Sequence, residues 1–103
     1  MLIYAMSVPA YFKQGIYKIG EADSHKQLHQ RRKTFQTYYP ETVQVYALWD
    51  IGDIPRKADN RLHTIFKEYK YGHGGTEFFK DVPLDELHEK TLYVFGPSVE
   101  RLV

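Results

Sequence analysis

Asp59 and His63 stand four residues apart in a segment with helical spacing, so a carboxylate and an imidazole share one side of a helix beside its apolar stripe. A hard divalent cation such as Mg2+ needs only one or two protein carboxylates, because water and phosphate oxygens complete its octahedron. Two tyrosines, Tyr4 and Tyr17, lie in short apolar runs of strand length on either side of a connection. A phenol with an ordinary pKa near 10 can orient water, and it acts as a general base only where its neighbours lower that value. Arg31 and Arg32 flank an apolar helix stripe at similar angles, and a guanidinium is always charged and grips two phosphate oxygens at once. Activated water, a cation and fixed positive charge are what phosphodiester hydrolysis requires. Each residue also has an ordinary explanation. A tyrosine can be an amphipathic core residue, an arginine a solvated helix residue, and an acid near a helix start a partner of the macrodipole. His63 alone reads as a histidine at the edge of a core.

The elements that must carry these groups follow from local patterning. Leu2 to Met6 is a short apolar run, and Ile16-Tyr17-Lys18-Ile19-Gly20 alternates, with Ile16, Lys18 and Gly20 facing one way and Tyr17 and Ile19 the other. A loop between them would make a β-hairpin. Ser24 with Gln27 three residues on predicts a capped helix, with Leu28 and Phe35 on its inward stripe and Pro40 at its exit. Thr42 to Trp49 is β-branched and aromatic and reads as a third strand. Pro55 suits the first turn of a second helix, in which Ala58, Leu62, Ile65, Phe66 and Tyr69 follow helical spacing. Tyr71 to Thr76 cannot continue it; Glu77 to Lys80 reads as a strand, Leu84 to His88 as one or two helical turns, and Leu92 to Phe95 as a last strand. The expected fold is an α/β (α+β) sandwich, a small, mainly antiparallel sheet with helices packed on it.

Composition sets outer bounds. A chain of 103 residues, 43% hydrophobic and 16% aromatic, supports a single domain whose modest core is thickened by rings. The absence of cysteine excludes disulfide scaffolds, thiolate catalysis and Cys-ligated metal. No apolar run is long enough to span a bilayer, and the first residues do not resemble a signal peptide, so a cytoplasmic location, bacterial or phage-infected, is expected. Residues 1–76 hold eleven Lys and Arg against seven Asp and Glu, a local charge of +4; residues 77–103 hold three against six, a local charge of −3. The basic runs are Lys26 with Arg31-Arg32-Lys33, and Arg56-Lys57 with Arg61. Such a surface permits contact with phosphates, although solvated helix faces have the same composition. His25, His29 and His73 carry no spacing signal, and Tyr38-Tyr39 read as packing under the helix.

The order of these features resembles the GIY-YIG endonuclease superfamily, and most closely its short phage-type branch. Its second motif is matched by Tyr17-Lys18-Ile19-Gly20 and its first by Leu2-Ile3-Tyr4, with Leu where Gly is usual. The literal string Gly15-Ile16-Tyr17 belongs to the second strand and leaves no second motif after it. Arg31-Arg32-Lys33-Thr34-Phe35-Gln36-Thr37, Arg61-Leu62-His63-Thr64-Ile65-Phe66 and Gly75-Thr76-Glu77-Phe78-Phe79 resemble the branch's later motifs, so that the likeness covers residues 1–80. Residues 81–103 then read as an acidic C-terminal extension of the same domain. The branch's spacing selects Arg31 over Arg32. Its metal-binding Glu falls at Asp59, where the carboxylate is kept on a side chain one methylene shorter.

The resemblance implies a metal-dependent DNA endonuclease or nickase. Tyr4 and Tyr17 would stand near the attacking water, Arg31 on the scissile phosphate and Asp59 on Mg2+ or Mn2+, with His63 and Glu77 as accessory groups. Lys18, Lys26, Arg32, Lys33, Arg56, Lys57 and Arg61 would contact DNA, residues 26–33 and 56–61 forming one basic rim. The hydroxyls of Tyr4 and Tyr17 would converge on one pocket with Arg31. A separate DNA-recognition domain or protein is an expected partner. The alternative is an inactive GIY-YIG-like module that binds nucleic acid or protein, with an accessory protein that binds a host factor as a third reading.

Overall fold

Leu2–Ser7 forms β1, the middle strand of the sheet, in a computed structural model that describes residues 1–72 and 77–103. All six of its residues are buried, since helices cover both faces of the sheet around it. Pro9–Lys13 follows as a short helix, α1, in place of the expected plain loop; Pro9 suits its first turn because no helical N–H bond is needed there. Gly15, at φ +79, turns the chain into β2, Ile16–Ala22. The remaining elements are α2 (His25–Gln36), β3 (Gln44–Asp50), α3 (Asp59–Ile65), β4 (Phe78–Lys80), α4 (Leu84–Phe95) and β5 (Glu100–Arg101). The strands lie in the order β4-β2-β1-β3-β5, and every pairing is antiparallel. The expected α+β sandwich is therefore the observed fold.

Two layers of side chains hold it together. Leu2, Tyr4, Met6 and Ala22 on one face pack with Leu28 and Phe35 of α2. Ile3, Ala5, Tyr17, Ile19 and Trp49 on the other pack with Leu62, Phe66 and Leu87, from α3, the turn after it and α4. Helix α2 starts as its sequence predicts, with the Ser24 hydroxyl accepting from the Gln27 N–H at 3.1 Å. The return bond is displaced by one residue, because Gln27 Oε1 accepts from the Asp23 N–H at 2.7 Å.

Two expected elements differ. Helix α3 begins at Asp59 rather than at Pro55, because Lys57 has φ +66, a conformation no helix continues. It also stops at Ile65 and yields to a 3-10 turn over Lys67–Tyr69, which leaves Ile65 and Tyr69 exposed and outside the core. Leu92 to Phe95 is not a strand. It is the end of α4, a single helix in which Leu87 and Thr91 are buried at i, i+4 and the Thr91 hydroxyl donates to the Leu87 carbonyl at 2.7 Å. Gly96, at φ +98, ends that helix, and the last strand is β5. The Gly75-Thr76 half of the third late motif, His73 and most of the expected turn over 71–76 lie outside the described residues.

Candidate functional site

A cleft of about 250 Å³ is lined by Tyr4, Glu21, Arg31, Lys57, Asp59, Asn60 and Glu77. Its walls come from both layers. Tyr4 stands on the α2 face of β1, whereas Asp59 starts α3 on the opposite side of the sheet. They meet beside β2 because Tyr4 is paired with Gly20, and a Cβ on Gly20 would overlap the Tyr4 ring. A side chain at this position would push the phenol aside. Next to Gly20, beyond the stretch of β2 paired with β4, the Ile19 N–H donates to the Glu77 carbonyl at 3.0 Å and fixes Glu77 at the cleft.

The electrostatics divide the cleft into an acidic and a basic wall. Asp59 is only 4% exposed, and its side chain is hydrogen-bonded to that of Glu21. A carboxylate in that position disfavours a second negative charge on Asp59. Burial, the Glu21 hydrogen bond and charge, and the Glu77 charge raise the Asp59 pKa from 3.8 to about 7. The second oxygen of Glu21, Oε2, is buried with no hydrogen-bond partner. Burial also raises the Tyr4 phenol well above its ordinary 10; Arg31 opposes the shift, and Glu77, Asp59 and Glu21 add to it. Tyr4 is therefore a neutral hydroxyl at physiological pH, able to donate a hydrogen bond. Arg31 and Lys57 supply the basic wall.

Asp59, His63 and Glu77 bring ligand atoms within 4.8 Å of one another, an acidic and histidine cluster able to hold a metal ion. His63 Nε2 lies 3.7 Å from Asp59 Oδ2 and 2.7 Å from the Ile19 carbonyl oxygen. A carbonyl only accepts, so this nitrogen carries the proton and is engaged by the backbone. His63 thus supports the cluster by tying α3 to β2. The donor set is hard and rich in carboxylate, as Mg2+ or Mn2+ prefers, and the orphaned Glu21 oxygen is what a cation would satisfy. The residues fit the metal.

The structure separates the other expected site residues. Tyr4 and Arg31 line the cleft, but Tyr17 does not join them. Tyr17 lies in the opposite core layer, 2% exposed, and its hydroxyl donates to the Val82 carbonyl at 2.5 Å. The register that pairs Tyr4 with Gly20 and Met6 with Lys18 puts Lys18, not Tyr17, on the Tyr4 side of β2. Lys18 reaches Glu77 at 3.5 Å and lines a second cavity, of about 350 Å³, together with Arg31. Tyr38, also on that cavity, is 76% exposed rather than packed under the helix.

The single basic rim is partly formed. Arg56, Lys57 and Arg31 line an adjoining cavity of about 260 Å³ with Glu21. Arg32 turns away, its Nε donating to the Val43 carbonyl at 3.0 Å, and Arg61 sits 5.9 Å over the Phe95 ring on the α4 side. Lys33 and Lys26 are exposed on α2, about 200° and 140° round the helix from Arg31. Sequence reasoning missed Glu21 and Asn60. Glu21 had a signal, since it continues the buried Tyr17–Ile19 alternation with a charge; Asn60 had none.

The chain thus combines an antiparallel sheet, covered by helices, with an acid-lined, Arg-flanked cleft. The T5orf172 domain model matches residues 1–92, and the chain belongs to that family. This is a domain of phage and mobile-element proteins, nuclease-like or DNA-binding in character. No curated protein and no solved structure matches the chain. Among the described residues, no helix is long and apolar enough to cross a membrane.

Proposed function

We propose that this chain is a divalent-metal-dependent DNA endonuclease or nickase of the GIY-YIG type. The observation that carries this reading is the single cleft in which Tyr4 and Arg31 face the Asp59 cluster. Arg31 holds the scissile phosphate and offsets the charge that gathers on it. The neutral Tyr4 hydroxyl orients the attacking water by a hydrogen bond. Asp59, with Glu77 nearby, would hold Mg2+ or Mn2+, which when bound polarises the phosphoryl oxygens and steadies the leaving oxygen. The water oxygen bonds to phosphorus, one P–O ester bond breaks, and the leaving oxygen takes up a proton. Tyr17 has no part in this step; its hydroxyl serves the fold. Lys18, Arg56 and Lys57 hold the flanking backbone, and a separate DNA-recognition domain or protein supplies sequence selection.

The second reading is a DNA-binding module without catalysis, and the raised pKa of Asp59 favours it, because a protonated Asp59 carries no charge to attract a metal. Incubation of supercoiled plasmid with Mg2+ or Mn2+, with and without chelator, separates the two. Nicked or linear product that disappears with chelator and with Arg31→Ala supports the nuclease. DNA binding without product in either metal establishes the module.

A further inference from the structure

We infer that Glu21 is a metal-ligating carboxylate of this cleft, acting with Asp59 as the pair of protein ligands for one hard divalent cation. The inference rests on the nuclease reading and names the residue that completes its metal site. Asp59 brings a short carboxylate from the first position of α3 and is 4% exposed. Glu21 approaches from β2 on the other side of the gap, and its side chain already meets that of Asp59. Its Oε2 is buried and lacks a partner, and an unsatisfied buried carboxylate oxygen is costly. A cation between Glu21 and Asp59 would satisfy both, and one or two carboxylates with water are what Mg2+ ordinarily takes from a protein.

The competing donors are engaged elsewhere. The His63 nitrogen nearest Asp59 donates to the Ile19 carbonyl, and the Glu77 carboxylate is paired with Lys18 at 3.5 Å. Glu21 therefore brings a buried oxygen without a partner to the lining of the cleft that Asp59 also lines. Its place on β2, where it is paired with Ile3 of β1, gives the site a stiffer wall than a loop acid would.

The test is calorimetric titration of the full chain with Mn2+ alone, without DNA. Glu21→Gln keeps a hydrogen-bond donor for Asp59 but loses the charge. It should weaken Mn2+ binding at least as much as loss of an outer-shell partner, about 10- to 100-fold, and about as much as Asp59→Asn does. Glu77→Gln should change it far less. If Glu21→Gln binds Mn2+ as wild type does, Glu21 merely positions Asp59 and the inference is overturned while the nuclease reading stands. If wild type binds no Mn2+ at millimolar concentration, both fall. Should Glu21→Gln fail to fold, Mg2+ titration of the wild type followed by carboxyl carbon-13 resonances decides the matter. Glu21 and Asp59 should shift together, and a stationary Glu21 signal overturns the proposal.

Discussion

The Tyr4 ring lies across the α-carbon of Gly20, its partner on the neighbouring strand, and this contact carries the phenol to the cleft. Gly20 is not in the left-handed region, so alanine there is acceptable to the backbone and objectionable only to the ring. Gly20→Ala should cost about 1–3 kcal/mol by overpacking and should reduce cleavage through displacement of Tyr4. Thermal melts of Gly20→Ala, Tyr4→Ala and the double variant check it. The Gly20 penalty should largely vanish when the ring is gone, a coupling that additive costs would refute.

The two motif tyrosines should fail in opposite ways. Tyr17→Phe leaves the Val82 carbonyl buried without its donor, which should cost about 1–3 kcal/mol of stability and leave cleavage unchanged where both proteins are folded. Tyr4→Phe should keep the melting temperature within a few degrees and lower the cleavage rate severely. Melting curves beside plasmid-nicking rates read both effects.

Acidity should stabilise the metal-free protein. Asp59 has an ordinary pKa of 3.8 and is raised to about 7 in the folded chain, so between those values the folded state binds the extra proton. The stability this confers is fully present below about pH 4 and is lost as pH rises through about 7. Relative to Asp59→Asn, whose amide does not titrate, the wild-type melting temperature should fall across that window. Mg2+ should restore it near pH 7.5. Parallel melting curves for the two proteins would contradict this assignment.

DNA binding should depend on salt through a particular subset of the basic residues. Removing a side chain that neutralises one phosphate should make the log–log slope shallower by roughly 0.9. Arg56→Ala and Lys57→Ala should each do so, because both line cavities joined to the cleft. Arg32→Ala and Arg61→Ala should not, since one guanidinium is tied to the Val43 carbonyl and the other lies over Phe95. Fluorescence anisotropy with a short duplex at several salt concentrations separates the two sets.

Local patterns make much of this fold readable. The β1 run, the Ser24 cap and the two buried positions of α2 each involve residues within one or two turns of one another. Strand register is not readable, because a helix fills the connection between β1 and β2 and no turn length sets the pairing. With register hidden, nothing in the sequence assigns Tyr17 to the layer opposite Tyr4. Glu21 escapes because its charge ends the apolar pattern of Tyr17 and Ile19, although it continues their face of β2 and is half-buried. Helix α4 reads as two elements across the polar stretch at Lys90, although Leu87, Thr91, Val94 and Phe95 continue a single helical period.

The cleft joins side chains rooted on opposite faces of one sheet, Tyr4 and Arg31 on the α2 side and Asp59 on the α3 side. A cation with a phosphodiester bound there would act as a rivet through the edge of the sheet, clamping the two helical layers to each other. Opening of either layer would then have to release the ligand first, so occupancy should suppress the fluctuations of both together. Amide exchange should slow in concert at α2 and at the start of α3 when Mg2+ and a non-cleavable duplex are added. The catalytic ligand and the fold would in that way share a single fastening.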